Sequence, residues 1–541
     1  MSIIWIKRIG LLALLTLVFL YGVLTLTGIS FSPLPPRFNS PDETANYFWA
    51  NRLAHSRGLR LAEPLNAVAG QQIHLRSDNV TAAGDVVPGS FVGWIIFLGG
   101  WGWLVGSWAI PWVTPLLAVM ALWCWYRLIL KYVGRGAGVI SAALLAVQPA
   151  WWYYATRGLF ANVAVVALAI MAVWLFDRAL VVSSRQRWWH LAAGVAAGLA
   201  VSIRPAELPW LVVIALTLVW RNWSRAWRPG LLLAVIGAGV VGLPTVMVQW
   251  WLYGSPLATG YQDLQMIAGP AATASWWALI LPAGFHPLRA LRHGYDYSFG
   301  LMGWWWIPVT VAGLLALWRS VRQCPSRPDW SRLVWWYTVM TVVVSGWLLL
   351  QYGSWSVRDN ISGQITIGTA YLRYWLPIAV LATPYLGWLI AGGLRRITLP
   401  PVRAVVALGL LVWFIWPAYQ LVVWSEEGVV PVAAAVAQYQ TVNRVAVERL
   451  ATDGQTPVII SDRSDKVFWP QLRTMTFLGN GTIWSPAAAL ARQVPVYYYS
   501  HNQLTSANLA IMKGFVQPLG CDWQVQASLT SVDGLYQLIC Q

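Results

Sequence analysis

Charged side chains are scarce in this chain. They make up 10% of its 541 residues, whereas a soluble domain carries about 25%. Negatively charged residues are the rarer of the two kinds, with 19 Asp and Glu compared with 36 Lys and Arg. Hydrophobic residues reach 58%, and they form runs of about eighteen or more, enough to cross the hydrocarbon core of a bilayer as helix. These features exclude an ordinary soluble protein and predict an all-α polytopic membrane protein.

Cysteine is also rare, with four residues, and the sequence has no C-x-x-C and no H-E-x-x-H pattern. We therefore predict no metal site and no cofactor, with a divalent ion at an acidic outer loop as the alternative. Cys521 and Cys540 lie in the polar C-terminal tail, where an oxidising compartment would allow a disulfide.

Eleven apolar segments are predicted to span the membrane. They lie near residues 9–29, 109–130, 137–155, 159–176, 188–203, 206–220, 230–252, 301–318, 333–351, 374–392 and 404–424. The first has no small-residue cleavage site and is expected to remain in the protein rather than be removed as a signal. Another apolar stretch, 89–106, is short and rich in glycine, and we expect a helix or re-entrant segment at the outer face.

The basic residues indicate the orientation. If 89–106 does not cross, half of all Lys and Arg fall in alternate loops on one side, together with only Asp177 and Asp329. Basic loops stay in the cytoplasm. We therefore predict a protein of the plasma or inner membrane with its N-terminus on the cytoplasmic side and its C-terminus on the outer side. If 89–106 crossed, nearly all of these loops would face outward. The net charge of +17 thus indicates topology, and no nucleic-acid partner is expected.

Three polar segments fall on the predicted outer side. They are the first outer loop, 30–88, the second outer loop, 253–300, and the tail. We predict a transmembrane module over 1–424 and a small extracytoplasmic α/β domain over 425–541. The tail pattern predicts an amphipathic helix over 432–451 and strands over 457–461 and 494–499.

The first outer loop contains the acidic pair Asp42-Glu43. Ser40 and Pro41 precede it, a pattern typical of a helix start, and we expect a helix through Ala54. A carboxylate at the membrane surface can act as a general base, bind sugar hydroxyls or hold a metal. The more common role of such a pair is helix capping, so both interpretations stay open.

Three arginines lie at outer ends of predicted spans, where few are expected. Arg157 is in a short turn, Arg204 precedes Pro205, and Arg373 begins a span. An arginine at such a place is costly unless it is paired, and phosphate is a good planar partner. Snorkelling or an ion pair, such as Arg204 with Glu207, is the alternative for each. Together the three favour an anion site.

The remaining polar candidates are weaker. His74 and His286 are outer-loop histidines, which are more often hydrogen-bonded surface residues than ligands. Tyr261 follows a turn-rich exit from a span, which by itself indicates only a loop.

Several of these segments, taken in order, resemble a known family. Pro41-Asp42-Glu43, Arg204-Pro205, the turn Gly254-Ser255-Pro256 with a tyrosine soon after, and Arg373-Tyr374-x-x-Pro377 are similar to the GT-C membrane glycosyltransferases. The similarity is to the protein O-mannosyltransferase and aminoarabinose-transferase relatives, and it covers most of 1–424 as short motifs. Members transfer a sugar, hexose or pentose, from a polyprenyl-phosphate carrier to a protein, lipid or glycan acceptor on the outer face.

The resemblance implies roles for individual residues. Asp42 would be the base that deprotonates the acceptor, with Glu43 beside it. Arg204 and Arg373, and less directly Arg157, would contact the donor phosphate, and Tyr374 and Tyr261 would line the substrate site. The chain departs from the family at Asp85-Val86-Val87-Pro88-Gly89, where relatives often have a His-Pro-Pro or Pro-Pro-Leu stretch, so the acceptor side is not implied.

Two other functions stay open. A transporter or lipid flippase would fit the many spans, but no inverted repeat is visible. A polymerase or ligase of lipid-linked oligosaccharides would use a large outer loop that bears Arg and His. The second outer loop has such residues in His286, Arg289, Arg292 and His293.

Overall fold

The computed structural model describes most of the chain. The described residues are 17, 21, 36–181, 186–222, 228–261, 281–323, 328–356, 364–450, 456–477 and 482–541. They divide into two compact units. The first unit takes in 1–25, 111–244 and 273–431, and the second takes in 26–110, 245–272 and 432–541.

Helices dominate the first unit. Within the described residues, seven helices are long and apolar enough to cross a membrane. They are Val113–Tyr132, Ala161–Ala179, Arg228–Tyr253, Leu301–Arg322, Pro328–Gly353, Leu376–Arg396 and Pro400–Tyr419. Each lies on a predicted span, so the polytopic all-α membrane fold is confirmed.

Prolines divide one further predicted span and bend two others relative to each other. The span 137–155 becomes the helices Arg135–Ala146 and Pro149–Thr156, because Pro149 lacks the N–H that would continue the first helix. The spans 188–203 and 206–220 become Gln186–Ile203 and Pro205–Arg221, which are bent by 113°. The bend follows from Pro205, which disfavours helical geometry in the residue before it. The predicted span 9–29 lies almost wholly outside the described residues, and the number and orientation of spans stay predictions.

The exposure of side chains separates two kinds of helix in this unit. Ala161–Ala179 and Leu376–Arg396 bury most of their residues. Arg228–Tyr253 instead exposes large apolar side chains, among them Leu232, Val235 and Leu243, at 61–68%. Such exposure would favour aggregation in water, whereas lipid tails solvate these side chains as well as a protein core does. The second kind of helix therefore faces lipid.

The glycine-rich stretch 89–106 forms the helix Val92–Val105 in the second unit. Its 14 residues reach about 21 Å at 1.5 Å each, less than the hydrocarbon core needs. Its glycines allow close packing, because a Cβ at Gly99 would lie 2.7 Å from Leu53. This helix therefore packs against the helix Pro41–Ala54, which we name the loop helix.

The tail forms a small mixed sheet of five strands, two of which lie on the predicted strands 457–461 and 494–499. After β1 (Asp78–Val80) and β2 (Val86–Pro88) of the first outer loop, the strands are β3 (Val458–Ser461), β4 (Arg473–Thr476), β5 (Val496–Ser500), β6 (Cys521–Gln526) and β7 (Gly534–Cys540). Their order is β4-β3-β5-β7-β6, with β3 parallel to both neighbours and β7 antiparallel to both of its own. The helix Val429–Leu450 precedes them. The disulfide between Cys521 and Cys540 is present and joins β6 to β7.

The first outer loop and the tail share one hydrophobic core. Ala69 and Ile73 of the loop are fully buried among tail residues such as Val458 and Ile460. Arg76 reinforces the junction with an ion pair to Asp465 at 2.9 Å. The second unit therefore combines 432–541 of the tail with the loop that carries Asp42.

Candidate active site

The loop helix begins as the sequence predicts. Ser40 is its N-cap, Pro41 is in its first turn, and its last residue is Ala54. The Ser40 side chain accepts a hydrogen bond from the Asp42 N–H, and the Glu43 carboxylate accepts one from the Ser40 N–H at 3.2 Å. This reciprocal pair is a capping box. Glu43 is buried and thus has the capping role that the pattern allowed.

Asp42 occupies a different environment from Glu43. It is partly exposed, and its Oδ1 accepts a hydrogen bond from the Ser77 hydroxyl at 2.6 Å. Ser77 lies in the same loop, just before β1. The carboxylate is therefore held in one orientation while it still reaches solvent, which a general base requires.

The same face of the loop helix makes two more contacts with its own loop. Asn46 accepts a hydrogen bond from the Ser90 hydroxyl at 2.9 Å. Trp49 donates its indole N–H to Asp78 Oδ1 at 2.7 Å. Asp42, Asn46 and Trp49 follow the helical spacing of one face, so this face orients the helix. No local pattern indicates these partners, because they depend on how the loop folds back.

Asp78 is a buried carboxyl group of the first outer loop. Its Oδ2 has no hydrogen-bond partner among the described residues. Burial raises its pKa to about 8, the Trp49 hydrogen bond opposes this rise, and the charge of Asp465 adds to it. Asp78 therefore holds its proton at neutral pH in the folded protein.

We expect Asp78→Asn to reduce the pH dependence of stability. The folded protein keeps the Asp78 proton up to about pH 8, whereas the unfolded chain releases it near about pH 4. Stability therefore falls as pH rises through that window, by up to about 1.4 kcal/mol per unit. Unfolding temperatures of the purified proteins are measured at pH 5, 6.5 and 8. The unfolding temperature of the variant should rise relative to that of the wild type as pH rises. If the unfolding temperatures of variant and wild type change with pH in the same way, Asp78 is not buried in its protonated form.

In the first unit, Arg204 is paired. Its Nε donates to Glu207 Oε1 at 2.9 Å, and both side chains are buried. Glu207 also accepts hydrogen bonds from the Tyr352 hydroxyl at 2.7 Å and from the Trp210 indole at 2.5 Å. The ion pair that the sequence offered as the alternative for Arg204 is thus present.

Aromatic rings connect Arg204 to the other two arginines. The guanidinium carbons of Arg204 and Arg373 lie 4.9 Å and 5.2 Å from the ring centroid of Tyr374. Those of Arg373 and Arg157 lie 4.5 Å and 5.3 Å from that of Phe160. These are cation–π distances. The three predicted arginines and Tyr374 therefore form one group, which we name the arginine cluster, and Phe160 is a member that the sequence did not indicate.

Hydrogen bonds and stacking fix the cluster in place. Tyr374 stacks on Tyr352 with centroids 4.3 Å apart. Arg157 donates to the Tyr153 hydroxyl at 2.7 Å, and that hydroxyl donates to the Glu427 carbonyl at 2.8 Å. Arg157 and Arg373 are both partly exposed, whereas Arg204 is buried. Arg157 and Arg373 are thus the members that a ligand can reach.

The histidines and arginines of the second outer loop have structural partners. The His286 N–H donates to the Ser354 hydroxyl at 3.1 Å, and Arg289 donates to the Ser354 carbonyl at 3.1 Å. His293 binds the Gly353 carbonyl at 2.9 Å. These contacts cap the end of the helix Pro328–Gly353. The described partners of His286, Arg289 and His293 therefore explain these residues without a ligand.

The other predicted residues have local roles. His74 contacts the Leu75 carbonyl through Nδ1 at 2.7 Å. Tyr261 packs against Phe91 with centroids 4.8 Å apart and is mostly exposed. Within the described residues, no group of three or more His, Cys, Asp or Glu side chains could hold a metal ion.

Comparison with known proteins gives one family match. Residues 91–251 match the family of dolichyl-phosphate-mannose-protein mannosyltransferases. This segment contains Arg157 and Arg204 but neither Asp42 nor Arg373. No curated protein matches the chain by sequence.

Two solved structures share the fold of this chain. The structure of ArnT from Cupriavidus metallidurans bound to undecaprenyl phosphate matches with a TM-score of 0.54 at 12% identity, over 98% of each chain. The arabinofuranosyltransferase AftD from Mycobacteria matches with a TM-score of 0.51 at 14% identity, over 98% of this chain and 40% of that one. At such identities the likeness concerns the fold.

Proposed function

Since the family match and the shared fold are those of the GT-C membrane glycosyltransferases, we propose that this chain transfers a sugar from a polyprenyl-phosphate donor to an acceptor on the extracytoplasmic face. The sugar is a hexose or a pentose, and the acceptor is a protein, lipid or glycan. ArnT, a relative in fold, is described bound to undecaprenyl phosphate, which supports a donor of this class.

The setting of Asp42 is the observation that carries the proposal. The carboxylate of the neighbouring Glu43 accepts the Ser40 N–H in the capping box, whereas Asp42 is oriented by Ser77 and reaches solvent. In the reaction Asp42 accepts the proton of the acceptor hydroxyl. The acceptor oxygen then forms a bond to the anomeric carbon, and the bond from that carbon to the phosphate oxygen breaks. The polyprenyl phosphate leaves with the electron pair.

The arginine cluster supports the phosphate site of this reaction. A leaving phosphate gains negative charge on its bridging oxygen, and a guanidinium fork stabilises that charge through paired hydrogen bonds. We assign this contact to Arg373 and Arg157. Arg204 has a compensating carboxylate in Glu207, so we assign it the positioning of Tyr374, the ring that it shares with Arg373.

We expect Arg373→Gln to weaken donor binding. The substitution removes charge-assisted hydrogen bonds of about 1.5–3 kcal/mol, so the KM for the lipid donor should rise about ten- to a hundredfold. Arg373→Lys keeps the charge but loses the paired N–H donors of the guanidinium, so its donor KM should lie between those of the wild type and Arg373→Gln. Initial rates of sugar transfer in detergent micelles, at varied donor concentration, measure the effect.

A matched control is Arg292→Gln. Arg292 lies in the same unit and is mostly exposed, with Asp296 at 3.8 Å as its partner. Its substitution should leave the donor KM unchanged. If Arg373→Gln and Arg292→Gln behave alike, the arginine cluster does not bind the donor.

A further inference from the structure

The face of the loop helix that points away from Asp42 lines a cavity of about 210 Å³. Thr44, Phe48, Arg52 and His55 line it and follow the spacing of one helix face, whereas Asp42, Asn46 and Trp49 belong to the other. Arg37 and Arg57 complete its basic lining, and Tyr47, Phe48 and Pro470 form apolar walls. We name this space the basic cavity.

The charges of the first outer loop are distributed unevenly around this space. The loop contains five basic and five acidic residues, yet three of the bases (Arg37, Arg52 and Arg57) line the cavity and none of the acids does. The other two bases have partners elsewhere, since Arg76 pairs with Asp465 and Arg60 donates to the Trp251 carbonyl at 2.6 Å. Positive charge is thus concentrated in the basic cavity although the loop is neutral overall.

Arg37 is the deepest of these cations. It is 1% exposed, and it donates to the Trp469 carbonyl and to the Gln471 side-chain oxygen. Both acceptors are neutral, and its Nε has no partner among the described residues. Burial lowers the pKa of Arg37 to about 9. A buried guanidinium is costly without an anion, and the described lining of the cavity contains no carboxylate to supply one.

Arg52 and His55 are held by backbone carbonyls in the same way. Arg52 donates to the carbonyls of Arg57 and Arg60 at 3.0 Å and 3.1 Å, and its Nε also has no partner among the described residues. Burial and then the charge of Arg57 lower the pKa of Arg52. The protein therefore keeps like charges close together, an arrangement that an anionic ligand would stabilise.

We propose that the basic cavity binds a phosphate monoester group, either as the headgroup of a membrane lipid or as a free phosphate compound. Two guanidinium groups can grip a phosphate through paired hydrogen bonds. The aromatic and proline walls suit the carbon atoms attached to it. This site lies on the helix face opposite the catalytic carboxylate and is distinct from the donor phosphate site of the arginine cluster.

Calorimetric titration of the purified full-length protein tests the proposal. The Arg373→Gln background weakens phosphate binding at the arginine cluster, so that binding there contributes less to the measured heat. Inorganic phosphate is titrated into protein in neutral detergent, and in a second arm the protein is placed in nanodiscs with or without phosphatidic acid. We expect saturable binding of phosphate at one site. If phosphatidic acid abolishes that binding, a lipid headgroup is the ligand, and if it does not, a free phosphate compound is.

Substitutions assign the binding to the cavity. Arg37→Gln and Arg52→Gln should each weaken it about tenfold or more, whereas Arg60→Gln, an exposed arginine of the same loop outside the cavity, should leave it unchanged. If Arg37→Gln does not fold, Arg52→Gln decides. Absence of saturable phosphate binding, or binding that Arg52→Gln and Arg60→Gln leave equally intact, would overturn the proposal. Because the readout is binding, this outcome is independent of whether the protein transfers sugar.

Discussion

Replacing Asp42 by Asn should abolish sugar transfer and leave the fold and donor binding intact. The amide oxygen of Asn can still accept the Ser77 hydrogen bond seen at Asp42 Oδ1, so the geometry of the loop survives. The amide cannot take up a proton. Loss of a general base lowers kcat about 10²- to 10⁴-fold, with an unchanged donor KM, and initial rates with the purified variant measure both constants.

Two other acids of the loop provide controls for Asp42. Asp85→Asn removes an acid of the same loop that lies outside the loop helix, and its rate should equal that of the wild type. Glu43→Gln weakens the capping box and should lower the unfolding temperature while transfer persists. If Asp42→Asn retains transfer within about tenfold of the wild type, the Asp42 carboxylate only accepts the Ser77 hydrogen bond and the base assignment is wrong.

Among the proposed single substitutions, Arg204→Gln should lower the free energy of unfolding most. Arg204 and Glu207 are both buried and paired at 2.9 Å, and removal of one partner leaves the other charge uncompensated. Such a loss typically costs about 3–5 kcal/mol, although Tyr352 and Trp210 still donate to Glu207. Thermal unfolding in detergent should show a marked drop for Arg204→Gln and a small one for Arg373→Gln.

The double variant Arg204→Gln/Glu207→Gln separates the two possible roles of Arg204. If Arg204 acts through its ion pair, removal of both charges should recover most of the lost stability. If Arg204 contacts the donor phosphate directly, the double variant should recover stability and still raise the donor KM. The second result would favour the role that the family resemblance implies for Arg204.

Local patterns in the sequence predicted the loop helix and most of the long apolar helices of this fold. Ser40-Pro41-Asp42-Glu43 predicted the loop helix through Ala54, because capping depends on neighbours within one turn. Hydrophobic length located the helices of the membrane region. The prolines that break helices were visible, but the sequence alone did not show that Pro149 would divide a predicted span whereas Pro205 would bend a pair.

Local sequence patterns do not predict contacts between segments that are far apart in the chain. Phe160 joins Arg157 to Arg373 across more than two hundred residues of sequence, and Arg37 meets Trp469 and Gln471 at a still greater separation. The shared core of Ile73 with the tail sheet has the same origin. The sequence therefore suggested which arginines stand out, while only the fold distinguishes the paired Arg204 from the accessible Arg373.

The donor class is the central claim, and product stoichiometry tests it most directly. Purified wild-type protein in proteoliposomes is incubated with a labelled sugar on a polyprenyl-phosphate carrier, or with the same sugar on a nucleotide carrier. A membrane extract supplies the acceptor in both cases. We expect one polyprenyl phosphate to be released for each sugar transferred, no transfer from the nucleotide sugar, and no release by Asp42→Asn. Transfer from the nucleotide sugar without release of polyprenyl phosphate would contradict the account.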